Sequence, residues 1–367
     1  MADFTSALYL GLRHASASLP AWEALTLGVP AVLQEPRGAD EVAAGLARLQ
    51  GLPAATLLPS TLHLFWDLLR LMARDARSAL LLDAGAYPIL HWAAEGAVAA
   101  GAVVHRFAHH DATALAQLAR RVADAGLRPI VVCDGFCPGC NRPAPLPAYA
   151  RIALDCGGSL VLDDTQALGV LGTSPSIVCP YGHGGGGSLR WHDLAGADIV
   201  VGASLAKGFG APLAALAGSE ALIARFRRDS ETRVHCSPPS AVAIQAARRA
   251  LDLGARCGEA WRTRLLRLVL RLRQTLAHAG LVPVGRLPFP VQSFVSRQGP
   301  GVAPQLLRRL QAGGVRALLT SGCQGLAPRL SFIVTARHTL AQIDRVGQLI
   351  ARGAAALPFL PAALAIT

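Results

Sequence analysis

Residues 197–210 read ADIVVGASLAKGFG. The first half is a continuous apolar run, the composition of a strand covered on both faces. The second half is a glycine-rich turn that holds Lys207, the only lysine in the chain. The same strand form recurs upstream as SALLLDA (78–84), AVVHRFA (102–108), PIVVCDG (129–135) and GSLVLDD (158–164), with AATLLPS (54–60) as a shorter run. Helical spacing fills the gaps, in TLHLFWDLLRLMARDA (61–76), PILHWAAEGAVAAG (88–101) and DATALAQLARRVADAG (111–126). Apolar strands alternating with helices predict an α/β fold, a mostly parallel sheet between two helical layers. In such a sheet ligands sit at the carboxyl ends of the strands.

After residue 240 the pattern changes. One helical stretch runs from 241 to about 280. Short strands (291–295, 315–319, 329–334) and helices (303–314, 339–353) follow, the pattern of a smaller α+β domain. The expected division is an N-terminal segment, 1–45, associated with the small domain; a large domain, 46–245; and a C-terminal small domain, 246–367. The stretch GHGGGG (182–187) reads as a flexible loop, with a lid as the alternative. The apolar tail ALPFLPAALAIT (356–367) reads as a packed or partner-covered end.

Composition narrows the class. Of the 367 residues, 52% are hydrophobic and 16% charged, which excludes a disordered chain. Apolar runs are interrupted well short of the roughly 20 residues a membrane span needs. The N-terminus lacks the basic start and apolar core of an export signal. Of the eight cysteines, Cys133, Cys137 and Cys140 cluster in CDGFCPGC, but the sequence near them shows no second half of a metal site. These cysteines read as structural, which with the missing export signal points to a cytoplasmic protein that binds no metal. The net charge is +12, almost wholly from arginine. The arginines alternate with leucines, as in WRTRLLRLVLRLRQTL (261–276), and read as solvated helix faces. A nucleic-acid-binding protein is the non-enzymatic alternative; it requires salt-sensitive binding that survives Lys207→Ala.

Arginine replaces lysine on a solvated surface. It does not replace an amine that must lose its proton and attack a carbonyl. A sole lysine at a strand end therefore fits a Schiff-base role. Asp163 and Asp164 end another buried strand, where a carboxylate can hold a protonated ring nitrogen. Ser60 and Thr61 open a helix after an apolar run, a place for an anion, and Ser204 stands three residues before Lys207. An amine, a carboxylate and an anion site together describe pyridoxal 5′-phosphate chemistry.

The order and spacing of DDTQALGVLG (163–172) and residues 197–210 resemble the α-oxoamine synthase family of fold-type I pyridoxal phosphate enzymes. SALYLGL (6–12), DGFCPGCNRPAPLPAYARIA (134–153) and RLSFIVTARHTLAQIDR (329–345) are similar to further family segments. The resemblance implies that Lys207 carries the cofactor, Asp163 faces its ring nitrogen, and Ser204, Ser60 and Thr61 bind its phosphate. Tyr87 falls where the family stacks a histidine on the ring, a role an aromatic side chain fills. Arg329 resembles the arginine that clamps the amino-acid carboxylate. Residues 235–243, with Ser237, resemble a segment that reaches the neighbouring subunit's cofactor in a homodimer. The family's histidine three residues after the aspartate is Gln166 here. Gln166 can donate a hydrogen bond to the ring oxygen but is no proton donor of the histidine kind. The asparagine of the family's N-terminal motif is Ala7, and its glycine-rich segment before Ser60 is missing. The implied reaction is acyl transfer: condensation of an amino acid with an acyl-CoA or acyl-carrier-protein thioester, with decarboxylation. An aminotransferase or other amino-acid-transforming enzyme of the same fold is the alternative.

Overall fold

The computed structural model describes residues 1–354, other than 76, 298, 300, 324, 326 and 327. The apolar tail lies outside the described residues. Two compact units emerge. The larger comprises residues 7–138 and 142–263; the smaller comprises 1–6, 139–141 and the chain from Arg264 onward. Only residues 1–6 of the N-terminal segment therefore belong with the smaller unit. The division after 240 falls at 263, not 246, inside one helix that runs unbroken from Ala241 to His278. A continuous helical pattern carries no signal of where one packing partner replaces another.

The larger unit is built on seven strands: β1 (Ala54–Leu58), β2 (Ser78–Asp83), β3 (Val103–Phe107), β4 (Arg128–Asp134), β5 (Ser159–Asp163), β6 (Ile199–Ser204) and β7 (Ala214–Gly218). Their order is β1-β7-β6-β5-β4-β2-β3. Strands β2 to β6 are mutually parallel, and β7 runs antiparallel to both its neighbours. The expected mostly parallel sheet is thus present, and its carboxyl edge carries Asp83, Asp134, Asp163 and Ser204 as the last residues of four strands.

Strand alternation sorts the side chains into two cores. Ala79, Leu81, Val131 and Cys133 face one layer, made with α1 (Ala39–Gln50), α4 (Ala112–Asp124), α5 (Leu146–Asp155) and the start of the long helix. Leu80, Leu82, Ile130 and Val132 face the other, made with α2 (Thr61–Ala73) and α3 (Pro88–Ala99). Each leucine so buried contributes about 1.5–3 kcal/mol relative to exposure. Caps set the helix starts: Ser60 accepts from the His63 N–H, and Asp111 from the Ala114 N–H. Gly202, mid-β6, lets α2 lie close on the sheet, since a Cβ there would meet the Phe65 ring at 2.5 Å. That contact fixes the start of α2 near the carboxyl edge.

The smaller unit has a four-stranded antiparallel sheet, β8 (Leu281–Pro283), β9 (Val291–Ser296), β10 (Leu318–Thr320) and β11 (Arg329–Ile333), in the order β8-β9-β11-β10. Helices over Val302–Ala312 and Leu340–Ala354 accompany it. Phe4, from the N-terminus, stacks on His338 and meets Phe332 edge-on. Among the described residues no helix is long and apolar enough to cross a membrane.

Candidate active site

Register places the first two acids side by side. Asp134 on β4 pairs with Asp163 on β5, and Asp163 with Gly202 on β6. Lys207 follows three residues beyond the end of β6. These residues line a cavity of about 180 Å³ with Tyr87, Gln166 and Ser204. Thr61, the first residue of α2, lines it too, so a helix N-terminus contributes to the wall.

Thr165 organises the floor. Its N–H donates to Asp163 Oδ1 at 2.9 Å, and its hydroxyl accepts from the Ser204 N–H at 2.9 Å. Burial pushes the Asp163 carboxyl above its ordinary range, against the pull of Thr165 and the Lys207 charge. Asp134 is pushed up further, by burial and by the neighbouring Asp163, with the Tyr87 N–H opposing. Its Oδ1 is buried without a partner. Burial and mutual repulsion therefore let the pair hold one charge more readily than two. Burial lowers the pKa of Lys207, and Asp163 and Asp134 only partly restore it. A lysine so placed gives up its proton more readily than a surface lysine.

Above the floor, Lys207 Nζ lies 5.7 Å from the centroid of the Tyr87 ring. Tyr87 precedes Pro88 at the start of α3 and is 50% exposed, which leaves its ring open to the cavity mouth. Gln166 accepts a hydrogen bond at Oε1 from the buried Tyr9 hydroxyl. Its amide N–H groups remain to serve as donors.

Of the sequence-derived candidates, Lys207, Asp163, Gln166, Ser204, Thr61 and Tyr87 come together at this cavity. Ser60 caps α2 and hydrogen-bonds His63 Nδ1 at 2.8 Å, but does not line the cavity. Ser237 is exposed beyond the short helix Glu231–His235 and does not line it either. Arg329 opens β11 in the smaller unit, where its Nη1 donates to the Gly139 carbonyl at 2.8 Å. Asp134, Thr165 and Tyr9 were not singled out from sequence. A signal existed for Asp134, since PIVVCDG ends in an acid just as GSLVLDD does.

Asp164 has a different task from Asp163. It turns away from the cavity, is buried, and accepts from the Ser188 N–H at 2.9 Å. The glycine stretch is consequently an ordered turn. Thr173 bridges His183, Gly169 N–H donates to the Gly185 carbonyl, and Gly184 N–H donates to Glu259. Gly187 sits at φ +90°, where a Cβ would lie 2.0 Å from Asp164 Oδ2. Gly187→Ala should lower stability by about 1–3 kcal/mol from strain and overlap together. Thermal unfolding of the purified variant reads this, and an unchanged midpoint would remove the tie between loop and strand.

A large sheet with one antiparallel strand, and a lysine facing an aspartate across its carboxyl edge, define the class: the α/β fold of the fold-type I pyridoxal phosphate-dependent transferases. A scan against models of protein families finds no match. Among curated proteins, the chain is 34% identical to the 8-amino-7-oxononanoate synthase of Nitrosococcus oceani over 261 residues, 69% of this chain and 64% of that one. It is 32% identical to the enzyme of that name from Pseudomonas aeruginosa over 275 residues, 73% of this chain and 61% of that one. The chain thus spans less than two thirds of the length of these relatives. Among solved structures, Sphingomonas wittichii serine palmitoyltransferase superposes with a TM-score of 0.81 at 16% identity, over 97% of this chain and 88% of that one. The 8-amino-7-oxononanoate synthase of Francisella tularensis superposes with a TM-score of 0.72 at 16% identity, over 96% and 97%. At that identity the superpositions establish the fold. The sequence relatives bear out the resemblance to the α-oxoamine synthases.

Proposed function

We propose that this chain is a pyridoxal 5′-phosphate-dependent acyltransferase that joins an amino acid to an acyl thioester with loss of carboxylate, as an 8-amino-7-oxononanoate synthase does. The observation that carries the reading is the single lysine of the chain, half-buried over Asp163 in a cavity at the sheet's carboxyl edge. The curated relatives of that name support the reaction class. A solved serine palmitoyltransferase, similar in fold at a TM-score of 0.82, 16% identity and over 97% of this chain and 88% of its own, contains PLP.

The residues fit that cofactor. Asp134 offers a buried carboxyl oxygen with no partner, a group that needs a ligand's polar atom to satisfy it. Thr61 at the start of α2 and Ser204 supply an anion site. Tyr87 offers an aromatic face beside Lys207, and Asp163 a carboxylate for a cationic ring nitrogen. When bound, the cofactor supplies an electron sink for a carbanion at the amino acid's Cα. Lys207 holds it covalently at rest and then moves the Cα proton, a task its lowered pKa suits. Gln166, oriented by Tyr9, donates to an oxygen of the ring system. Arg329 clamps the amino-acid carboxylate. Ser60 completes the phosphate end through the cap of α2, and Ser237 reaches the partner's site in a homodimer. The acyl donor is an acyl-CoA or a carrier-protein thioester, and the arginine-rich surface suits either. The place of action is the cytoplasm, and neither nucleic acid nor membrane takes part.

An aminotransferase is the second reading. It is favoured by Gln166, which offers hydrogen bonds but no exchangeable acid where the synthases hold histidine. Thiol release separates the two. The cofactor-loaded protein, given a panel of acyl-CoAs, should release CoA only when the right amino acid is present. Spectral change with an amino acid alone, and no thiol from any acyl-CoA or acyl-carrier protein, would establish the aminotransferase instead.

A further inference from the structure

The proposed chemistry gives Thr165 no task, yet Thr165 joins the two strand ends that carry the site. It lies two residues past Asp163, the last residue of β5, and lines the cavity. Its N–H donates to Asp163 Oδ1 at 2.9 Å, and its side chain hydrogen-bonds the same carboxylate. The hydroxyl oxygen also accepts from the N–H of Ser204, the last residue of β6, at 2.9 Å. A hydroxyl has one proton and two lone pairs, so it can serve Ser204 as acceptor and Asp163 as donor at once. All of these residues belong to the larger unit.

The contact to Ser204 governs the approach to Lys207. Between β5 and β6 the backbone ladder ends with the Asp164 N–H on the Gly202 carbonyl, at 2.8 Å. The Ser204 N–H, two residues on, goes to the Thr165 hydroxyl, which extends the ladder by one side-chain bond. Ser204 Oγ then accepts from the Ala206 N–H at 3.3 Å, and the Leu205 N–H donates to the Leu213 carbonyl at 2.8 Å. These bonds fix the turn from which Lys207 extends. On the other side, burial works against charge on Asp163. The Thr165 side chain is the largest opposing influence, ahead of the Thr165 N–H and of the Lys207 charge.

We propose that Thr165 is a positioning residue of the active site: its one hydroxyl donates to the Asp163 carboxylate and accepts from Ser204, and so holds the charged carboxylate and the Lys207 turn to each other. The catalytic consequence rests on the pyridoxal phosphate reading; the link between Thr165, Asp163 and Lys207 does not. Valine at 165 keeps the shape and the backbone N–H but loses the hydroxyl. Asp163 then has one donor fewer against burial, and its pKa rises. The other groups around it stay in place. Asp134 and the Cys133 thiol on β4, and Asp164 beside it, each feel the Asp163 charge, and the Tyr87 ring lies 5.7 Å from Lys207 Nζ.

The sole lysine supplies a probe that needs neither cofactor nor turnover. Protein grown on lysine labelled with carbon-13 at Cε gives one lysine signal, that of Lys207. Titrated by NMR, that signal should move with the amine's own proton and, at lower pH, with the proton on Asp163. The inflection that disappears in Asp163→Asn belongs to Asp163. Thr165→Val should move it to higher pH by about half a unit to one unit, and Thr165→Ser should bring it back. In the cofactor-loaded protein, thiol release by Thr165→Val should fall by roughly 10–100-fold, the share of one hydrogen bond to a charged group, with Thr165→Ser near the parent. If the valine variant does not fold, Thr165→Ala removes the same hydroxyl and takes its place. An Asp163 inflection that stays put in the variant lacking the hydroxyl would overturn the proposal. So would one moved as far by serine, which would make the effect one of packing. Borohydride trapping on the parent chain tests the cofactor reading by itself: its failure would remove that reading, while the titration would still decide the role of Thr165.

Discussion

Alanine in place of Lys207 will leave a chain on which borohydride traps no cofactor. The expectation rests on the composition as much as on the site. Lys207 is the only lysine, so the chain's N-terminal amine is the one other primary amine that could carry a carbonyl cofactor. Intact-mass measurement after reduction therefore gives an unambiguous answer: one added cofactor on the parent chain, none on the variant. Turnover should fall by at least about 10²–10⁴-fold, the share that a positioned proton-transfer group contributes. Lys207→Arg should behave like Lys207→Ala, because a guanidinium keeps its proton at any working pH. The alanine variant should still bind cofactor noncovalently, since Asp163, Thr165 and the start of α2 are untouched. A trapped adduct on either variant would place the attachment elsewhere and remove the proposed chemistry.

The sheet was legible because each of its inner strands is a short apolar run between helices with marked starts. Ser60 and Asp111 cap where the spacing turns helical, and Pro88 begins α3 at its first position. The Lys207–Asp163 juxtaposition was legible for the same reason: both follow from strand ends, and parallel strands bring their ends to one edge. Strand alternation also separates Asp163 from Asp164, although only the fold gives Asp164 its partner, Ser188. Three features lay beyond a linear reading. Tyr9 and Gln166 are 157 residues apart, and nothing local couples them. Asp134 meets Asp163 only through the β4–β5 register. The glycine stretch 182–187 has the composition of a loose loop, but hydrogen bonds from residues 169–173 and Glu259 order it.

Asp163→Asn separates cofactor binding from turnover. The carboxylate sits in a buried floor, with the Thr165 N–H on Oδ1 and the Lys207 charge nearby. Asparagine keeps the shape and one acceptor oxygen, so the cavity and the hydrogen bond from Thr165 survive. It removes the negative charge that makes a cationic ring nitrogen affordable in a buried site. Breaking one side of a buried charge pair costs about 3–5 kcal/mol. If that cost falls on the step in which the ring gathers charge, turnover drops by roughly 10²–10⁴-fold. Covalent capture by Lys207 needs no such charge and should persist. Loss of Asp163 also removes the larger of the two carboxylate influences that raise the Lys207 pKa, so that pKa should fall further below that of a surface lysine. Two readouts check the argument: borohydride trapping, expected to stay near one cofactor per chain, and thiol release, expected to collapse. Full turnover in the variant would show that Asp163 only shapes the floor. Asp134, its neighbour in register, would then be the carboxyl group that faces the cofactor.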